Sequence, residues 1–286
     1  MTRGSWRDGA RLAVGTLTVF PVRPPTVVDR GTGSWAMTFA PVVALPLAAV
    51  SLLAQWLLGW SPFGGLSYPF DLLAGQDLLL VRPAPALLVA ALTIGALTLL
   101  TRGLHLDGLA DTADGLGCGK PADRALEVMR RSDIGPFGVA TLVLVLLAQV
   151  LALGQQLGIG RGSLALGLAL VLSRAVLPLI CSYGVPAARA DGLGHVVAGS
   201  VRRSQLALSA VLAVLSLAVA TVMVVGVHVD FVRLAVLAGL VTVVALGCGA
   251  AMCSWCVRRL GGVTGDVLGA CVEVTFTATL VTLTML

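Results

Sequence analysis

Seven apolar runs divide the chain, at residues 36–58, 84–101, 136–157, 163–185, 205–228, 231–256 and 264–286. A helix needs about 20 apolar residues to cross the hydrocarbon core of a bilayer, and most of these runs supply that length. The pattern predicts an all-α fold: a polytopic integral membrane bundle of about seven transmembrane helices, forming one domain over residues 1–286. Run 84–101 is short, so it is expected to continue into, or hinge against, the segment that follows. Run 264–286 opens on polar residues, which places its start at the membrane interface. Ahead of the first run, Arg3, Arg7 and Arg11 lead into "LAVGTLTVFPV". That stretch lacks an uninterrupted apolar region and a small-residue cleavage site before Pro21, so it does not read as a removed signal. It reads as an amphipathic helix lying on the membrane surface.

Composition agrees with the pattern. The 286 residues are 57% hydrophobic and 12% charged, with a mean hydropathy of +0.97. A soluble domain carries about 25% charged residues, so this chain lacks the polar surface that water requires. Basic residues are unevenly placed. The segments before the first run and at 102–135, 186–204 and 257–263 hold fifteen of the 19 lysines and arginines. The opposite loops hold three: Arg82, Arg161 and Arg233. Positive charge marks the cytoplasmic side, so the N-terminus and the 102–135 loop are expected there, in a bacterial-type inner membrane. The six cysteines suggest no disulfide framework. Cys181, Cys248, Cys253 and Cys271 sit in apolar runs, as small hydrophobes do. The single C-x-x-C, Cys253 and Cys256, has no second pair or nearby histidine to make a zinc site.

One stretch breaks the apolar rule. "RGLHLDGLADTADGLG", residues 102–117, places Asp107, Asp111 and Asp114 at i, i+4 and i+7. On a helix they share a stripe about 60° wide. Each aspartate at a bilayer centre costs about 2.5–3.5 kcal/mol, so the three must face water, a cation or the interface. Converging carboxylates repel until a cation neutralises them. Hard oxygen ligands suit Mg²⁺, with Mn²⁺ as a substitute, holding a phosphate-bearing substrate. The plain alternative is a solvated helix start with incidental acids. His105 falls roughly opposite the stripe on a continuous helix and joins it only if the helix begins near Asp107. Pro121 ends the element.

A second polar island, "RRLGGVTGDVLGACVE" (258–273), puts Asp266 and Glu273 on one helical face behind Gly261, Gly262 and Gly265. A glycine turn at a helix start can aim N–H groups at an anion, and Arg258 and Arg259 add positive charge. Those arginines also fit a topology signal alone. Arg130 and Arg131 are suited to a pyrophosphate or to lipid headgroups. Arg174 stands mid-run with no charged neighbour within ten positions, and a membrane-embedded arginine is a functional candidate by default. The loop 183–200, carrying Asp191 and His195, reads as a lid or a flexible connector.

Together these residues resemble the cobalamin synthase family, the adenosylcobinamide-GDP ribazoletransferases. "GLHLDGLADTADGLG" is similar to its signature and "GGVTGDVLGA" (261–270) to its C-terminal motif. "TLTVFPV" (16–22) and "FAPVVAL" (39–45) are similar to its N-terminal pattern. The resemblance implies a Mg²⁺-dependent membrane phosphotransferase that joins adenosylcobinamide-GDP to α-ribazole or its 5′-phosphate and releases GMP. Its partners are then those substrates and the lipid bilayer, with no nucleic acid; a homo-oligomer is compatible with the sequence. Carried over, His105, Asp107, Asp111 and Asp114 are catalytic. Asp107, Asp111, Asp114 and Asp266 are the metal set. Arg102, Arg130, Ser132, Arg174, Arg258, Arg259 and Glu273 bind substrate. The chain departs from the family in two places: Arg131-Ser132-Asp133 reverses a frequent acid–Ser–basic order, and Phe276 stands where a second glutamate is often found.

Other classes fit less well. A divalent-cation transporter would also put acids on membrane helices, but both acidic islands belong to one side. A CDP-alcohol phosphotransferase would need an Ala-Arg after the first Asp-Gly, which is absent. A purely structural membrane protein leaves the two islands and Arg174 without a cause.

Overall fold

Each apolar run forms a helix. The computed structural model describes residues 4–57, 86–131, 133–225 and 231–286; Ser132 and Arg82 lie outside them. The helices are α1 (Trp6–Leu17), α2 (Arg30–Leu57), α3 (Ala86–Leu100), α4 (Leu104–Gly117), α5 (Ala122–Val128) and α6 (Pro136–Gly158), then α7 (Gly162–Ile180), α8 (Gly192–Val197), α9 (Arg203–Val225), α10 (Phe231–Leu260) and α11 (Gly265–Thr284). Two isolated backbone bridges, Ser182–Val201 and Ala187–Val263, are the extended pairings among the described residues.

Among the described residues, five helices (α2, α6, α7, α10 and α11) are long and apolar enough to cross a membrane. The pair α3–α4 passes the same test together but is bent by 90° at its break. In α9 the described apolar stretch, Arg203–Val219, is shorter. The hinge foreseen after the short second run is therefore present.

The bundle is arranged around α7, which is buried along nearly its whole length. Helices α6 and α10 lie outside it and turn Val143, Leu144, Leu147 and Leu151, and Val236, Leu240 and Val243, outward. In water such a surface would drive association; in lipid it is the expected exterior. Arg174, in the middle of α7, is therefore surrounded by protein.

Helix α1 is amphipathic, as expected, but its apolar face is not spent on lipid. Leu12, Ala13 and Leu17 are buried in the core that also holds Ala36, Met37 and Ala40 of α2. Gly9 lets the two helices meet, since a Cβ there would run into Trp35. Asp8 fastens the chain that follows. Its carboxylate accepts from the Thr26 N–H at 3.0 Å and the Thr26 hydroxyl at 2.8 Å. The loops counted as basic meet at this end of the bundle: Arg30 donates to the Ala198 carbonyl at 2.7 Å, and Arg189 to the Leu126 carbonyl at 2.7 Å.

Candidate functional site

The acidic helix α4 owes its position to two residues. Arg102 (φ 57°) and Gly103 (φ 66°) both lie in the left-handed region, which turns the chain sharply out of α3. Glycine accepts this conformation freely, whereas an arginine pays about 1–2 kcal/mol. Arg102 is held there by donating to the Gly15 carbonyl of α1 at 2.6 Å. It is thus a strut of the hinge, committed to α1 rather than to the acidic face. Alone, α4 has 14 residues, fewer than the about 20 that a membrane crossing needs.

Two glycines then press α4 onto α11. A Cβ on Gly108 would lie 2.7 Å from the Asp266 carbonyl oxygen, and one on Gly269 would lie 3.2 Å from the His105 Cα. Backbone meets backbone, and the two motifs that are far apart in sequence become one surface. Thr264 caps α11, accepting from the Val267 N–H at 3.2 Å. Its hydroxyl donates to Asp266 at 3.1 Å, which orients that carboxylate. Asp107 is exposed, and Asp111 and Asp266 are partly buried. Burial, with the nearby Asp107, Asp266 and Asp114 charges, pushes the Asp111 carboxyl up to about 7. The site carries more negative charge than its surroundings compensate.

Asp114 does something else. It is buried and accepts from the Gly135 N–H at 2.7 Å and the Gly138 N–H at 2.9 Å. Those amides are the free N-terminal donors of α6, so Asp114 caps a neighbouring helix with both oxygens. Asp114 therefore has a structural task beside its expected place in the metal set: each of its oxygens already accepts one backbone N–H. Among the described residues no three His, Cys, Asp or Glu side chains stand close enough to hold a metal alone. The remaining donors, Asp107, Asp111 and Asp266, are hard oxygens in excess negative charge. They fit Mg²⁺ in its usual mode, with one or two carboxylates and the other positions filled by substrate phosphates and water.

The segment 183–200 is a docked strap rather than a loose connector. The Ala188 N–H donates to the Val263 carbonyl at 3.0 Å, and the Val263 N–H to the Pro186 carbonyl at 2.9 Å. Gly262 is required by this contact: a Cβ there would lie 2.5 Å from Ala187 and Ala188 backbone atoms. The glycine turn therefore serves strap packing, and its Val263 amide is spent on protein rather than on an anion. Farther along, Asp191 accepts two bonds from Arg130, at 2.9 and 3.0 Å, so Arg130 latches the strap. Between these anchors Arg189 extends to 3.6 Å from Asp266. Burial lowers the Arg189 guanidinium from its ordinary value, against the pull of Asp266 and Asp111. Sequence reading passed over this residue; its one signal was a basic side chain in a glycine-rich loop. His195 is exposed in the last turn of α8. Arg258 and Arg259 are exposed at the end of α10, and among the described residues they pair with no acid of either motif.

Beneath α4 lies a cavity of about 30 Å³, walled by Arg174, Glu273, Gln149, Thr98, Thr101 and Phe276 among others, with room for roughly two waters. Gln149 of α6 donates to Glu273 at 2.8 Å and to Thr277 at 3.0 Å. Arg174 donates to the Ser173 hydroxyl at 2.7 Å, and its Nε has no partner among the described residues. Phe276, the departure from the family pattern, contributes an apolar wall, so Glu273 is the single acid lining this space. His105 is also buried, and its Nε2 has no partner among the described residues. The structure thus places Arg174, Glu273 and His105 in an interior layer below Asp107, Asp111 and Asp266.

Comparison with known proteins bears on this arrangement. The family model for cobalamin-5-phosphate synthase matches residues 9–284. The chain belongs to that family. A protein of Frankia casuarinae named adenosylcobinamide-GDP ribazoletransferase is 40% identical over 282 residues, covering 96% of this chain and 94% of its own length. One of Nocardioides sp. with the same name is 40% identical over 274 residues, covering 96% and 97%. One of Escherichia coli K12 is 38% identical over 187 residues, covering 65% and 70%. No solved structure matches the chain significantly. Kinship within the cobalamin-5-phosphate synthase family gives the cation-transport reading no support.

Proposed function

We propose that this protein is an adenosylcobinamide-GDP ribazoletransferase whose reaction takes place on the surface shared by α4 and the start of α11. The observation that carries the reading is the glycine-to-backbone contact of Gly108 with Asp266, which joins the two acidic motifs into one surface. In the reaction, an oxygen of α-ribazole, or of its 5′-phosphate, attacks the phosphorus attached to cobinamide. The P–O bond to the GMP phosphate breaks, and GMP leaves with the bonding electrons.

Such a transfer calls mainly for positioning and charge neutralisation. One or two of Asp107, Asp111 and Asp266 would hold Mg²⁺, which would offset the charge developing on the pyrophosphate as GMP departs. A proton lost by an attacking hydroxyl passes to a carboxylate of this face. His105 stands apart from that face: its ring is buried, and its Nε2 has no partner among the described residues. Asp114 acts at one remove, fixing α4 against α6. The basic loops gathered at the same end of the bundle support a cytoplasmic placement of the site in an inner membrane.

The test is GMP release by membranes containing the protein, supplied with adenosylcobinamide-GDP, either ribazole form and Mg²⁺. Release should need every component, stop with EDTA, and fall by about 100-fold or more in Asp111→Asn, the scale expected for loss of a charge-stabilising group. Absence of GMP from well-folded wild-type protein with both ribazole forms would sink the reading.

A further inference from the structure

The geometry points to Arg189 as a charge-transfer arm of the site: it is the internal counter-cation of Asp266 in the free enzyme and a pyrophosphate ligand once a divalent cation takes its place. The inference rests on the metal and substrate reading above.

Four observations converge on it. First, the backbone around Arg189 is fixed on both sides. The 186–188 strap is stitched to Val263 by two backbone hydrogen bonds of 3.0 and 2.9 Å, and Asp191 is clamped by Arg130. The Arg189 Cα is therefore delivered to the acidic surface by rigid parts, which is what precise placement of a charged group demands. Second, the side chain is under-committed. A guanidinium has five N–H donors. One bonds the Leu126 carbonyl at 2.7 Å. Nε is buried with no partner among the described residues.

Third, the contact with Asp266 is electrostatic and not a formed hydrogen bond, because 3.6 Å exceeds hydrogen-bond distance. A purely structural pair at this degree of burial would be expected to close to bonding distance, since desolvating two charges without a bond is costly. Fourth, Asp266 is itself pressed against α4, its backbone meeting Gly108, so an arm that reaches Asp266 reaches the surface shared by both motifs. Arginine is the side chain best shaped to grip phosphate oxygens with two parallel N–H groups. A cation entering among Asp107, Asp111 and Asp266 makes the nearby guanidinium surplus there, and the phosphates that accompany it offer new acceptors. Arg189 then positions the pyrophosphate; no bond forms or breaks on it.

The experiment uses the full-length protein in nanodiscs, with free Mn²⁺ followed by electron paramagnetic resonance and steady-state kinetics measured alongside. Arg189→Gln should bind Mn²⁺ about tenfold more tightly, because a competing positive charge is gone. It should also raise KM for adenosylcobinamide-GDP about tenfold with kcat little changed, as expected when ground-state phosphate binding is lost. Arg189→Lys, which keeps the charge but not the two-pronged grip, should return Mn²⁺ affinity to near wild type while KM stays elevated. Opposite movement of metal affinity and substrate affinity is the signature, since a residue that only holds the strap would weaken both. Mn²⁺ affinity that falls or stays constant in Arg189→Gln, or a KM that does not move, overturns the inference. Wild-type protein that binds no Mn²⁺ overturns the metal reading beneath it, and that result is seen before any variant is compared.

Discussion

Asp114 differs from Asp107 and Asp111 in what its carboxylate touches. Both of its oxygens receive backbone N–H groups from the start of α6, at 2.7 and 2.9 Å, so its work is structural. Asparagine there can accept only on one side and turns an N–H₂ group toward an N–H. Asp114→Asn should cost about 1–3 kcal/mol of stability, the usual penalty for leaving a buried donor unmet, read as a lower thermal midpoint in detergent. Mn²⁺ affinity of the folded fraction should change little, in contrast to Asp111→Asn. The three aspartates are equivalent in the sequence, because helical spacing reports a shared stripe and nothing about depth. Burial separates them, and burial depends on α6 arriving from elsewhere in the chain. Arg189 illustrates the same limit from the other side. No spacing rule connects residue 189 to residue 266, so its place beside Asp266 could not be read before folding brought the strap onto the Gly262 turn.

At the scale of elements, the site exists because α4 turns away from α3 and lies against α11. The shortness of run 84–101 signalled a hinge. It did not signal the 90° bend, which depends on consecutive left-handed residues at 102 and 103 and on the α1 carbonyl that holds Arg102. The α4–α11 contact is equally exacting. In Gly108→Ala the new Cβ would meet backbone atoms of Asp266 at 2.7 and 2.9 Å, and backbone cannot rotate aside. Overpacking of this kind costs about 1–3 kcal/mol, and it displaces Asp266 from the α4 acids. GMP release should therefore fall more steeply than stability. Gly95→Ala in α3 is the matched control: nothing lies within 4 Å of the added methyl, and alanine is about 1 kcal/mol better than glycine inside a helix. That variant should be as active as wild type and at least as stable. Equal losses in both variants would disconnect the close approach from activity.

The whole molecule has two unlike ends. One gathers α1, the α4–α5 region, the strap and the 260–265 turn; the other carries Arg161 at the start of α7. If the basic end faces the cytoplasm, an impermeant maleimide added to intact cells should label Arg161→Cys. It should reach Arg124→Cys only after permeabilisation, with each variant compared against the parent's native thiols. The reverse pattern would invert the topology and carry the site to the outer face.

Much of this architecture was legible because its causes are local. An apolar run long enough for lipid folds as a helix wherever it stands, and a carboxylate among leucines needs a reason to be there. Hence the all-helical membrane bundle, the two acidic motifs and the amphipathic α1 could be read from residues alone. What the tertiary structure decided was which groups share a space. It gave α1 a protein face instead of lipid, assigned Asp114 to a helix cap and Arg102 to a hinge, and left Arg258 and Arg259 exposed, without acidic partners among the described residues. It also brought Arg189 to the acids. Each of these depends on contacts between segments tens of residues apart, and the strength of charge, burial and hydrogen bonding at such contacts is set by distance in space, which the order of residues does not contain.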